Sequence, residues 1–373
     1  MKKFVLLSII ILLILVSFSY SLDMKKYDIY GYSDFIFLYG KQGEQKVGSF
    51  LQNRTNLIMG SEFFKRWNFF MNMEFNGAVE IQASDEGNLS TSKTKGKFQL
   101  EEAWASYTVS DAFIVKAGIF LAPFGSFNVI QDKSPTYISV RPPMIYDDDF
   151  RNRNPVHIIP EKCNLEVSGK LINKKVKLEY YVYAGNGLGT DNSSLDADLS
   201  KAFGTRITFN YNEDLKIGFS THFDNALFSF TPKDNSFGNT EDKPTISYSE
   251  KRSLFSIDFD YTLSRFNING EYFFNHNRPG IFPHFNRIFF YTNLNMMIIE
   301  KLRGYVETDY YKDRVAREDV REYLGNGIYK NIVGLNFKPN WRTALKGEVQ
   351  FYSFKGRFNP SFTVFMTSLS VIF

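Results

Sequence analysis

The chain has 373 residues, 39 of them Phe and 22 Tyr against only 12 Pro, a composition that excludes a disordered polypeptide. Its formal net charge is +4, about +2 once the first 21 residues are set aside, too near zero to argue for a nucleic-acid partner. One cysteine, Cys163, excludes an internal disulfide framework, and no Cys/His constellation suggests zinc.

The chain opens with Met1-Lys2-Lys3, an apolar run from Phe4 to Val16, and then Ser17-Phe18-Ser19-Tyr20-Ser21. A charged start, a short apolar centre and small residues read as a signal peptide over residues 1–21. The run is too short for a membrane-spanning helix, which needs about 20 residues. Residues 22–373 are expected to form a single exported domain.

Beyond the signal peptide the sequence alternates with period two, so it reads as strands with two unlike faces. Between residues 66 and 84, Trp67, Phe69, Met71, Met73 and Phe75 alternate with Asn68, Phe70, Asn72, Glu74 and Asn76. Soluble strands average about five or six residues, and this pattern is far longer. The spacing predicts sixteen strands: 27–38, 49–61, 66–83, 97–109, 113–121, 162–172, 175–184, 202–212, 215–229, 253–263, 266–275, 286–297, 303–311, 328–337, 341–354 and 361–373. Their links alternate in length. Short ones include "SDA", "INKK", "NED", "LSR" and "KPN". Long ones cover 39–48, 84–96, 122–161, 185–201, 230–252, 276–285, 312–327 and 355–360. Short turns on one rim and long loops on the other describe an all-β, antiparallel transmembrane barrel of about sixteen strands (range 14–18), with short periplasmic turns and long extracellular loops. Aromatics near strand ends, among them Tyr27, Tyr39, Trp67, Tyr107, Phe113 and Trp341, fit an interfacial girdle.

One loop differs from the rest. Residues 122–161 exceed ordinary loop lengths, yet carry apolar anchors such as Phe124, Phe127, Ile145 and Tyr146 and five prolines from Pro135 to Pro160. Anchors and stiff prolines predict one fixed conformation, docked in the lumen. Arg141, Arg151 and Arg153 face Asp147, Asp148 and Asp149 in a charge-balanced set that would tune a constriction. The three consecutive aspartates lack the spacing of a calcium loop. Along the strands the inferred lumen carries Glu74, Glu80, Asp258 and Asp260 together with Lys116, Lys177, Arg206, Lys216 and Lys346.

"VKAGIFLAPFGSFN" at 115–128, followed by "RPP" at 141–143 and "IIPEKCNLEVSGKL" at 158–171, with "LEEAWASY" at 100–107 just before, resembles the phosphate-selective-porin-like (porin O/P type) outer-membrane family. The resemblance puts Pro123, Phe124 and Gly125 in the family's Pro-Phe-Gly turn. It implies a sixteen-strand barrel, often a homotrimer, for passive diffusion. Phe373 is similar to the terminal aromatic that the barrel-assembly machinery reads. Phosphate-selective members cluster inward Arg and Lys; the mixed lumen here departs from that pattern, so phosphate selectivity is not carried over.

The resulting expectation is an outer-membrane porin, a water-filled channel for small polar solutes or ions, with the lipid bilayer as its surroundings and no cofactor, metal or catalytic residue. Two other classes stand beside it. One is a structural or adhesive barrel with an occluded lumen. The other is a barrel hydrolase using Ser220, His222 and Asp224, which share one inferred face. No nucleophile-elbow motif surrounds Ser220, and "GNGLG" at 185–189 has the wrong glycine spacing for a nucleotide fingerprint.

Overall fold

Backbone amides and carbonyls inside a bilayer have no water to bond, so strands that cross it must pair on both edges. The computed structural model shows how this chain meets that demand. It describes residues 24–42, 45–63, 66–76, 80–84, 89–92, 96–130, 135–147, 159–160, 162–187, 200–230, 246–280, 284–313, 327–355 and 361–373; the expected signal peptide lies outside them. The strands are β1 (Met24–Gln42), β2 (Gln45–Phe63), β3 (Trp67–Asn76), β4 (Glu80–Ser84), β5 (Leu89–Ser92), β6 (Lys97–Ser110), β7 (Phe113–Leu121), β8 (Lys162–Asn173) and β9 (Val176–Gly185). They continue with β10 (Ala202–Tyr211), β11 (Leu215–Phe230), β12 (Ile246–Leu263), β13 (Phe266–Pro279), β14 (Phe285–Ile299), β15 (Leu302–Asp313), β16 (Gly327–Asn340), β17 (Thr343–Lys355) and β18 (Ser361–Ile372).

Each strand pairs antiparallel with its neighbour, and β18 returns to β1 to close the ring. Both β3 and β4 pair with β2, while β6 faces β3 and β5 faces β4. These four segments are therefore two interrupted staves, and the barrel has sixteen. The seam is finished by a reciprocal pair of bonds: Gly31 N donates to Phe373 O, and Phe373 N to Gly31 O, each at 2.9 Å.

Two-residue turns on the short rim need left-handed backbone. Lys174 and Ser264 supply it in two-residue turns, with φ of 50° and 53°, and Asn212 and Glu213 take it in the three-residue turn 212–214, with φ of 52° and 64°. Several links depart from expectation: β5 lies inside the expected loop 84–96, β12 begins at Ile246 inside 230–252, and β13 runs to Pro279 inside 276–285. The stretch 39–48 reads as a long loop because Gly40, Gly43 and Gly48 interrupt it. Instead β1 and β2 pair as far as Gln42 and Gln45, since cross-strand bonds outweigh the weak strand preference of single glycines. A β-bulge in β6 also breaks the parity: Asn72 pairs with Glu102 and Met73 with Leu100, so Glu101 and Glu102 are both buried.

Elsewhere the alternation holds. Phe219, Ile257 and Val333 are 54%, 50% and 56% exposed, while Ser220, Asp258 and Ile332 beside them are 3%, 1% and 1%. Most of the apolar side chains that remain uncovered on the strands face outward, toward lipid. Among the predicted girdle aromatics, Tyr27, Trp67, Phe113 and Trp341 are exposed, and Trp67 and Tyr107 pack with ring centroids 4.9 Å apart. A charge placed on this face is expected to destabilise the barrel by about 2–4 kcal/mol near the midplane. Phe219→Arg should show that loss in urea unfolding from vesicles, and an unchanged midpoint would mean Phe219 does not meet lipid.

Candidate functional site

An irregular segment can enter a barrel only if its own polar backbone finds partners there. After β7 the chain turns at Ala122, where Phe124 N donates to Ala122 O at 2.8 Å. Gly125 comes next in the turn with φ +69°; a Cβ there would lie 2.9 Å from the Tyr146 hydroxyl and 3.1 Å from Glu271. The Pro123-Phe124-Gly125 turn thus lets the backbone lie close against the wall, and Gly125 N donates to Ser220 Oγ at 3.1 Å.

From there successive strands hold the segment. Glu271 on β13 accepts from Ser126 N, from Ser126 Oγ at 2.5 Å, from Phe127 N at 2.7 Å and from the Tyr146 hydroxyl at 2.7 Å. Asp309 on β15 accepts from Met144 N, and Glu348 on β17 from Val140 N, both at 2.7 Å. The carbonyls are met by donors: Lys330 reaches Pro142 O at 3.4 Å, Asn336 Ile138 O at 2.9 Å, Lys338 Pro135 O at 3.2 Å and Lys346 Ser139 O at 2.9 Å. Carboxylates take the amides, and lysine amines with the Asn336 carboxamide take the carbonyls, as a neighbouring strand would.

Tyr305 connects this anchoring to the sheet. Gly334 pairs with Tyr305 across β15 and β16, and a Cβ at Gly334 would sit 2.3 Å from the Tyr305 ring. With glycine there, the ring crosses β16 and its hydroxyl donates to Glu348 on β17 at 2.5 Å.

Apolar packing adds to these bonds. Phe124, Phe127, Met144, Ile145 and Tyr146 join Phe273, Phe289 and Tyr291 of the wall in one buried cluster. Phe127 and Tyr146 have ring centroids 4.9 Å apart, Phe124 and Phe273 5.8 Å. Val140 meets Ile36 of β1 and Met366 of β18 in a second cluster. Each such side chain contributes roughly 1.5–3 kcal/mol by leaving water.

The charged residues predicted from the sequence are mostly paired. Arg141 and Asp147 lie 3.0 Å apart within the segment. Lys116 meets Glu166 at 2.8 Å, Lys177 meets Glu179 at 2.7 Å, and Arg206 grips Asp258 with both terminal nitrogens at 2.6 and 2.9 Å. Glu74 lies 3.8 Å from Arg54 and accepts from Asn56 and Asn76. Asp260 accepts from Asn267 at 2.5 Å, Lys216 is half-buried, and Phe373 is exposed. Glu80 sits on β4, its side chain outside the described residues, as are Asp148, Asp149, Arg151 and Arg153.

Ser220, His222 and Asp224 each bond to other groups. Ser220 Oγ binds Gly125 N and Arg206, His222 Nδ1 lies 3.3 Å from the Tyr183 hydroxyl, and Asp224 bonds Arg252. Sequence reasoning missed Lys330, Asn336 and Lys338. The inward parity of Lys330 and Asn336 was legible, whereas Lys338 was read as part of the turn after 337; nothing in the alternation says that an inward lysine meets a loop carbonyl.

Removing one acceptor tests the anchoring. Leaving buried donors unpaired costs about 1–3 kcal/mol, so Glu271→Ala should lower the denaturation midpoint and loosen residues 122–147. Trp104 packs against the same cluster, and its emission should shift in step. A midpoint within error of the parent would show that the four bonds to Glu271 carry no net stability.

The sequence profile described as "Phosphate-selective porin O and P" matches residues 30–305. Among solved structures, an anion-selective porin from Comamonas acidovorans superposes with a TM-score of 0.60 at 12% identity, covering 93% of this chain and 99% of that one. An outer membrane protein of Vibrio cholerae, OmpT in its trimer form, gives 0.58 at 11% identity, with the same two coverages. The outer membrane channel DcaP of Acinetobacter baumannii gives 0.57 at 10% identity, over 93% and 97% of the two chains. At such identities the structural likeness shows the fold alone. No curated protein matches the sequence.

Proposed function

This chain belongs to the phosphate-selective porin O and P family and is an outer-membrane channel for passive diffusion; we propose that the segment 122–161 forms its constriction. The observation that carries this reading is the row of wall side chains from β11 to β17 bonded to that segment's backbone. A loop held at this many points is a fixed narrowing rather than a mobile flap.

Below the anchored segment, toward the short-turn rim, the inward residues Asp28, Tyr30, Lys177, Tyr181 and Lys216 keep part of their surface open to water. At the level of the segment, Asn56, Asn72, Asp309, Lys330 and Gln350 are all nearly or fully buried. A wide vestibule leading to a tight waist supports size selection by geometry. Because Arg141 is matched by Asp147, and Lys116, Arg206 and Lys330 by carboxylates, the waist offers no uncompensated ladder of one sign among the described residues. The reading is therefore a weakly selective pore for small polar solutes. The family's name and the anion-selective neighbour do not by themselves transfer a phosphate preference.

Assembly as a homotrimer is part of the same reading, supported by the trimeric form of one structural neighbour, as is recognition of Phe373 by assembly machinery. A hydrolase role has no support in the separate partners of Ser220, His222 and Asp224. Single-channel recording in planar bilayers tests the constriction. Deleting residues 130–155 should raise conductance, and in a KCl gradient the parent should give a reversal potential near zero. No rise on deletion would remove the segment from the permeation path, and a reversal potential near the Nernst limit for either ion would overturn weak selectivity.

A further inference from the structure

The outer face of the barrel holds a charge arrangement that permeation does not use. On β12 and β13, Lys251 stands directly opposite Arg278 in the antiparallel register. Lys251 lies between Glu250 and Arg252, which are 3% and 2% exposed, and Arg278 between the inward Asn277 and the buried Pro279. Both cations are exposed and point away from the lumen. Side chains so placed have Cβ atoms about 4.5–5.5 Å apart, and like charges there destabilise a sheet. Such a pair calls for a counter-charge, and among the described residues this part of the outer face provides none. The carboxylates on β12–β17 whose side chains are described, namely Glu250, Asp258, Asp260, Glu271, Glu307, Asp309 and Glu348, all share the inward parity.

Arg278 is also oriented. Its Nε donates to His276 Nε2 at 3.0 Å. The other ring nitrogen of His276, Nδ1, lies 2.7 Å from Asn286 Oδ1. The His284 ring stands edge-on, centroids 5.9 Å away. The terminal nitrogens of Arg278 take no partner among the described residues, which leaves a planar fork suited to a phosphate.

The next outward rows complete the surface. Ser253 pairs with His276, and Phe255 with Phe274; Phe255 and Phe223 pack edge to face, centroids 6.1 Å apart. The aromatic rows lie about 13 Å along the strand from the cations, on the side of the short turns. Cations therefore sit at the long-loop rim, above a greasy belt. Lys312 on β15 and Lys355 on β17 continue the outward cations, Lys355 lying 4.7 Å over the Tyr329 ring.

We propose that the outward Lys251–Arg278 pair is a docking site for a phosphorylated lipid of the outer leaflet, of the lipid A class, with its phosphate between the two cations and its acyl chains on Phe223, Phe255 and Phe274. The proposal goes beyond the channel reading and uses only its orientation, long connections outward. A lumen solute cannot reach these side chains, and a lipid headgroup lies at their depth.

Equilibrium binding of bisphosphoryl lipid A to the full barrel in neutral detergent tests it. The Lys251→Ala/Arg278→Ala protein should bind at least about ten-fold more weakly, the charge-keeping Lys251→Arg/Arg278→Lys protein should stay near the parent, and monophosphoryl lipid A should bind the parent less well. Single-channel conductance should be unchanged in both variants, which separates this test from the channel reading. Mobility of unheated samples on gels confirms closure, and Lys251→Gln carries the comparison should the double alanine fail to close. Equal lipid binding by parent and charge-removed proteins overturns the proposal. So does displacement of the lipid by millimolar inorganic phosphate, which would mark a site for the free anion.

Discussion

The requirement that shapes this molecule is that a peptide group away from water must be hydrogen-bonded to something. In the wall the answer is the sheet itself, closed by β18 on β1 so that no edge remains. Closure then divides the side chains by parity. Odd and even residues of one strand live in different solvents, which is why Ile257 and Asp258 can be neighbours in sequence and opposite in environment.

The same requirement governs the segment inside. Its described residues form no strand, yet their amides and carbonyls are met in the way a strand would meet them, by Glu271, Asp309 and Glu348 for donors and by Lys330, Asn336, Lys338 and Lys346 for acceptors. This gives the charged lumen residues a structural role beside any contact with solutes. Lys330 shows both at once: fully buried, it lies 2.8 Å from Asp309 and reaches a loop carbonyl. Burying such a pair has a desolvation cost that only good geometry and further bonds offset, and the loop backbone provides those bonds.

Most of the barrel was legible from period two and from link lengths, because both derive directly from which face meets lipid and which rim must turn tightly. The strand over 113–121 coincides with β7 and most others differ by a few residues at their ends, but β12 starts at Ile246 rather than 253, the expected strand 66–83 is split into β3 and β4, and β5 lies inside the expected loop 84–96. The 39–48 link reads wrongly because glycine content suggests a loop while cross-strand pairing decides the outcome. The bulge at Glu101 shows a second limit, since one inserted residue shifts parity without any mark in composition. For the site, the anchors and prolines of 122–161 were visible in the sequence. Its partners were not, because they come from strands far along the chain, and alternation names a face but not the group across the lumen from it.

Gly334 illustrates where variation in such a channel can act. Its missing side chain makes room for Tyr305, Tyr305 steadies Glu348, and Glu348 holds Val140. A methyl group added on β16 would thus be transmitted through three residues to Val140, in the segment proposed as the constriction. On the proposed reading, lineages carrying this fold have a route to retune what passes through by altering the supporting wall, leaving the anchored segment's own residues untouched.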